Sequence, residues 1–139
     1  MARGNSGEVD WKIIKQARPL VKGILLANGG VKDMAGADEF LRFTGADGLA
    51  IGQGALGRPW IFKEVKSSQP PLLKGDNEIF KIILKHAGLA EKLKGRQGII
   101  EMRKHLCWYV SGMENASALR LKLVKAESLG DVKRIFSLR

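Results

Sequence analysis

Residues 44–60 read Thr44-Gly-Ala-Asp-Gly-Leu-Ala-Ile-Gly-Gln-Gly-Ala-Leu-Gly-Arg-Pro-Trp60, and this stretch decides the fold class. A short apolar run, Gly48 to Ile51, stops at Gly52-Gln53-Gly54. Pro59 then suits the first turn of a helix expected to run through Trp60, Ile61 and Phe62 to Val65. Upstream, Gly23-Ile-Leu-Leu-Ala27 is a second wholly apolar run, as in a strand covered on both faces, and it stops at Asn28-Gly29-Gly30. Between the two, a helix expected from about Asp33 to Thr44 sets Met34, Ala37, Phe40 and Leu41 on one stripe, with Gly45 as its stop. Before them, Trp11 to Arg18 has near-helical apolar spacing and is expected to end at Pro19, because a residue preceding proline is disfavoured in the α conformation. The order helix, strand, helix, strand, helix predicts an α/β unit built on a parallel strand pair.

Beyond this unit the composition changes. Ser67 to Asp76 reads SSQPPLLKGD, which breaks helix and strand alike, so residues 69–76 are expected to link two domains, 1–68 and 77–139. The second half is helix-like throughout. Apolar residues at 79, 80, 83, 87 and 90 precede a stop at Gly95; Ile99, Met102, Leu106, Tyr109 and Val110 share a face closed by Gly112. Ala116 to Glu127 alternates like a strand in its LRLKLV segment, but its Ala and Leu content favours helix. The last helix, Leu129 to Leu138, has Ser128 as its cap. A small antiparallel bundle is expected.

At 139 residues the chain is too short for a complete eight-stranded βα barrel of ~250 residues. A single cysteine, Cys107, excludes an internal disulfide framework and a multi-thiolate metal cage, and no metal is expected. No apolar stretch approaches the ~20 residues that cross a bilayer, so a cytoplasmic location without membrane contact is expected. The net charge of +10 is unevenly placed: residues 1–68 hold ten basic and seven acidic side chains, residues 69–139 fourteen and seven. That excess points to a polyanionic partner, nucleic acid first, beside the plainer reading of a solvated surface.

The two glycine turns lie 24 positions apart, each just past an apolar strand. In a parallel sheet both open on the same rim, where glycine lets backbone N–H groups approach an anion and a helix start adds its positive end. A phosphate is the natural occupant, the alternative being simple tight turns. Gly52 to Gly57 also fits GxGxxG, but a dinucleotide unit needs a following strand ending in an acidic residue ~20 positions on, where SSQPPLLKGD stands instead.

GEVDWKII (7–14), ANGG (27–30), TGADGLAIGQGALGRPWIFKEV (44–65) and EMRKHLCWYVSGM (101–113) together resemble the C-terminal portion of the tRNA-dihydrouridine synthases. These are flavin enzymes in which an FMN-binding βα barrel precedes a small helical tRNA-binding domain. The resemblance implies a C-terminal fragment of a TIM-type (β/α) barrel followed by an all-α bundle. It implies FMN reduced by NADPH, hydride delivery to C6 of a uridine flipped out of tRNA, and protonation of C5 by a cysteine. In the family the loop bearing that cysteine and the flavin-ring contacts precede the portion matched here. No residue of this chain is therefore assigned as catalytic, Cys107 has no counterpart role, and the chain alone is expected to be inactive. Asn28 and Gly29 match the family's Asn-Gly-Asp turn and Gly52 its Gly-Arg pair, both of which hold the FMN phosphate. Gly30 stands where the family has Asp and Gln53 where it has Arg. Loss of one charge-assisted contact weakens binding by about 1.5–3 kcal/mol, roughly one to two decades. Arg58 is either a compensating cation or a surface residue.

In the bundle, Arg103, Lys104 and Trp108 form the candidate RNA-binding set, since a cation beside an outward indole grips phosphate and stacks on a base. Trp108 packed against neighbouring structure, and His105 as a satisfied core histidine, are the competing readings. At the level of the whole chain the alternative to a partial synthase is a catalytically inactive RNA-binding remnant. Unpaired strand edges are expected to invite self-association.

Overall fold

Asp10 starts the first helix by accepting the N–H of Lys12, and α1 runs Trp11–Ala17. The computed structural model describes residues 9–67 and 75–137. The chain divides into two units between Leu72 and Leu73. Contrary to expectation, Arg18 keeps α geometry (φ −50°, ψ −50°) before Pro19, and Arg18–Leu20 closes as a 3-10 turn with Val21 N–H donating to the Arg18 carbonyl. The Arg18 guanidinium donates to the Val21 carbonyl at 3.1 Å and pairs with Asp47 at 3.4 Å, which holds the residue where the proline alone would not.

Strands β1 (Leu26–Ala27) and β2 (Gly48–Leu49) pair in parallel, Leu26 with Gly48 and Ala27 with Leu49. Asp47 fastens their start, its carboxylate accepting the Leu25 N–H at 2.9 Å. Between them α2 (Met34–Thr44) is capped by Asp33, which accepts from Gly36, and stops at Gly45 in the left-handed region. Ala27, Val31, Ala37 and Phe40 form the core of this unit, with Trp11, Ile14, Leu41, Leu49 and Val65 packed around them. The strands are shorter than expected and β1 is covered on one face only: Ala27 is buried, while Leu26 is 64% and Ile24 80% exposed. A single layer of helices hides alternate strand residues and leaves the others open. Helix α3 (Ile61–Ser67) begins two residues later than Pro59 suggested, because Arg58 to Trp60 form a turn whose carbonyls accept from Ile61, Lys63 and Glu64.

Most of the expected linker falls on residues 68–74, outside the described residues, and Asp76 already opens the next helix. That helix, α4 (Asp76–Tyr109), is broken at Gly95 (φ 58°, ψ −145°), where glycine alone turns without strain. Its two arms fold back on one another, so that His86 on the first meets Tyr109 on the second. Helices α5 (Ala116–Leu123) and α6 (Leu129–Ser137) complete the unit. The α5 segment is helical as expected but ends four residues early. Ser128 caps α6 reciprocally with Asp131: the Ser128 hydroxyl accepts the Asp131 N–H, and the Asp131 carboxylate accepts the Ser128 N–H. Ile83, Ile99, Leu106, Val110, Leu123 and Val132 are fully buried at its centre.

Candidate functional site

The parallel pairing sends both chain segments out at the same end of the two strands, and Asn28-Gly29-Gly30 and Gly52-Gln53-Gly54 meet there. Trp11 Nε1 donates to the Gly29 carbonyl at 3.0 Å, and a side chain at Gly29 would run into the Phe40 ring. Gly54 backs onto the Val31 carbonyl so closely that no Cβ fits. A Cβ at Gly52 would sit 3.4 Å from the Asn28 amide nitrogen, so the two turns touch. Gly30 (φ 72°) and Gln53, the first residue of a 3-10 turn, are both exposed. The backbone N–H groups of Gly29, Gly30, Gly52, Gln53 and Gly54 donate to no other described residue. Backbone N–H groups left unpaired at the end of a strand pair are of the kind that can bind an anion.

The guanidinium closest in sequence to these turns is not free. Arg58, weighed above as a compensating cation, donates through Nη1 to the Lys32 carbonyl at 3.0 Å and through Nη2 to Glu64 Oε2 at 2.6 Å. Glu64 is 5% exposed, on the same face of α3 as buried Ile61. Neither Glu64 nor the Trp11 hydrogen bond was singled out in the sequence. A signal for Glu64 was there: it stands three residues after Ile61 and one before Val65, an acid on the apolar face of IFKEV.

In the second unit the structure separates the three candidate RNA contacts. Arg103 is half-buried and turned inward: Nε donates to the Ala126 carbonyl at 2.8 Å, and Nη2 lies 3.6 Å from Glu127 Oε1. Arg96 grips the same carboxylate in a forked pair, at 3.0 and 2.6 Å. These bonds hold the Glu127 carboxyl below its ordinary range. Lys104 is exposed and has no acidic partner among the described residues. Trp108 is half-buried, its ring edge-on to His105 with centroids 4.9 Å apart. His105 makes no hydrogen bond to a described residue, and burial, with His86 and Lys104 beside it, pushes its titration below the ordinary value. His86 Nδ1 and the Tyr109 hydroxyl stand 3.1 Å apart. Burial raises the Cys107 thiol, as befits packing rather than nucleophilic work.

Residues 1–137 match the family model described as dihydrouridine synthase (Dus). The chain belongs to the dihydrouridine synthase family. The family is one of enzymes and is generally flavin-dependent. The chain is 34% identical over 140 residues to a protein of Mycobacterium leprae named "Probable tRNA-dihydrouridine synthase", the match covering 94% of this chain and 36% of that one. Proteins of the same name in Rickettsia bellii (32% over 120 residues; 83% and 37% covered) and Helicobacter pylori (34% over 116; 81% and 34%) are similar to it as well. The chain thus spans about a third of the length of these relatives. No helix among the described residues is long and apolar enough to cross a membrane, and no cluster of three or more His, Cys, Asp or Glu side chains there is arranged to hold a metal.

Proposed function

We propose that this chain is part of an FMN-dependent tRNA-dihydrouridine synthase, its first unit holding the flavin phosphate and its second gripping tRNA. The observation that carries the proposal is the pair of glycine turns with free N–H groups at one end of a parallel strand pair. The Asn28 amide, the backbone of Gly29, Gly30 and Gly52, and the Gln53 backbone and amide would hold the phosphate. The turns fit such a group in offering unpaired N–H groups at exposed Gly30, Gly52 and Gln53, though the donors are neutral where a guanidinium would bind more tightly. When bound, the flavin supplies hydride for the uracil 5,6 double bond, with NADPH as its source. The residues of this chain bind and orient; the acid that completes the reaction is assigned to none of them.

The one-sided cover of the strands supports reading β1 and β2 as part of a TIM-type barrel, whose interior would cover Leu26. Their unpaired outer edges favour association with further strands, including those of a second copy. In the second unit Lys104 supplies charge to an RNA phosphate and Trp108 a ring for stacking. Titrating the chain with FMN and with riboflavin, which lacks the phosphate, tests the first half: FMN is expected to bind more tightly, and equal affinities refute that half. A tRNA gel shift that weakens steeply with salt tests the second half, and a salt-independent shift refutes it.

A further inference from the structure

Arg58 reaches from beyond the second glycine turn to the segment that follows the first. It stands four residues past Gly54, yet its Nη1 bonds the carbonyl of Lys32, two residues past Gly30. Lys32 follows Val31, whose carbonyl lies against Gly54, so the Arg58 bond is made next to a point where the two segments already touch. The second guanidinium nitrogen is fixed by Glu64 at 2.6 Å. Glu64 is buried, and its other oxygen has no partner among the described residues. A buried carboxylate needs a paired charge, so Glu64 depends on Arg58, and the planar fork satisfies carboxylate and carbonyl together.

We infer that Arg58, anchored by the buried Glu64, is a positioning residue that clasps the two glycine turns together and sets the spacing of their N–H groups. The inference rests on the phosphate reading of those turns but assigns Arg58 a different part from a ligand. A ligand acts by its charge, and lysine would serve in its place; a clasp needs two nitrogens at fixed angles, and lysine has one.

The test uses the 139-residue chain and three proteins: the parent, Arg58→Lys, and the double variant Arg58→Met with Glu64→Met, which removes both charges and leaves no carboxylate buried alone. FMN and riboflavin affinities are measured by flavin fluorescence, and amide hydrogen exchange is followed at Gly36 and Ala37 just after the first turn and at Ala55 and Leu56 in the second, whose N–H groups are hydrogen-bonded. Both variants are expected to keep their helical circular dichroism, exchange faster at both turns, and lose about tenfold in preference for FMN over riboflavin. If Arg58→Lys retains the parent's preference and exchange, Arg58 acts through charge and the clasp is overturned. If the double variant does not fold, Arg58→Lys alone decides. A parent with no preference for FMN refutes the phosphate reading, and exchange at Gly36, Ala37, Ala55 and Leu56 then still decides whether Arg58 fastens the turns.

Discussion

Replacing Arg103 by alanine separates the RNA contact expected from the sequence from the internal hydrogen bond that the structure shows. Its Nε donates to the Ala126 carbonyl at 2.8 Å, and Ala126 is buried in the turn between α5 and α6. Arg103→Ala leaves that carbonyl without its donor. A hydrogen bond from a charged group contributes about 1.5–3 kcal/mol. The 3.6 Å approach to exposed Glu127 adds little, because water screens it. In a unit of this size each kcal/mol corresponds to ~4–8 °C, so the melting temperature is expected to fall by roughly 6–24 °C. Lys104→Ala, one residue on and exposed, is expected to melt as the parent does. In tRNA binding the order reverses: Lys104→Ala flattens the salt dependence by ~0.7–0.9 log units per log unit of salt, while Arg103→Ala, assayed below its melting range, leaves the slope unchanged. Thermal unfolding followed by circular dichroism, with tRNA titrations at several salt concentrations, measures both. An Arg103→Ala protein that melts like the parent and binds with a flatter slope would refute the inward assignment of Arg103.

Trp108→Ala is expected to weaken tRNA binding by ~1–3 kcal/mol with the salt slope unchanged, since stacking releases no counterions, and to raise the His105 titration toward 6.5 in an NMR pH series by uncovering the imidazole. His105 titrates below 6.5 when folded, so the unfolded chain takes up its proton first. Its contribution to stability is complete above 6.5, is lost as pH falls from 6.5 to the folded value, and is constant below that; urea midpoints that do not fall across this window would count against the assignment. Cys107, raised by burial against the opposing pull of Arg120, is expected to react with iodoacetamide at neutral pH more slowly than free cysteine and to accelerate above pH 9.0, and a rate matching free cysteine would show an open thiol.

Periodicity read the helices well because burial set it. Ile99, Met102, Leu106, Tyr109 and Val110 were placed on one face by spacing and are all buried, and Gly95 and Ser128 stand where a helix break and a cap were expected. Strand cover was misread, because an apolar run such as Gly23 to Ala27 looks alike whether one face or two are covered; the uncovered side is set by chain outside the segment. The glycine turns were legible because glycine itself marks a turn, although the atoms that exclude a Cβ there, the Phe40 ring at Gly29 and the Val31 carbonyl at Gly54, lie far off in sequence. The direction of the arginines was not, because Arg58 and Arg103 find their partners 26 and 23 positions away, in Lys32 and Ala126. No helical wheel carries that information.

The arginines also change what the charge of +10 means. Arg18, Arg58, Arg96, Arg103 and Arg134 each hold a carboxylate, three of them a backbone carbonyl as well, so much of the guanidinium charge works within the fold. The exposed cations left without acidic partners among the described residues of the second unit are mainly lysines: Lys81, Lys85, Lys92, Lys104, Lys122, Lys125 and Lys133. This division follows the chemistry of the two groups, since a rigid fork suits fixed internal geometry and a mobile ammonium suits a polyanion whose phosphates shift. On the proposed function, a surface of lysines would attract RNA strongly at low salt and distinguish sequences poorly, so selectivity would rest on shape rather than on the basic residues. Removing lysine charges one by one should therefore lower affinity in small equal steps, whereas removing an arginine should first disturb the fold.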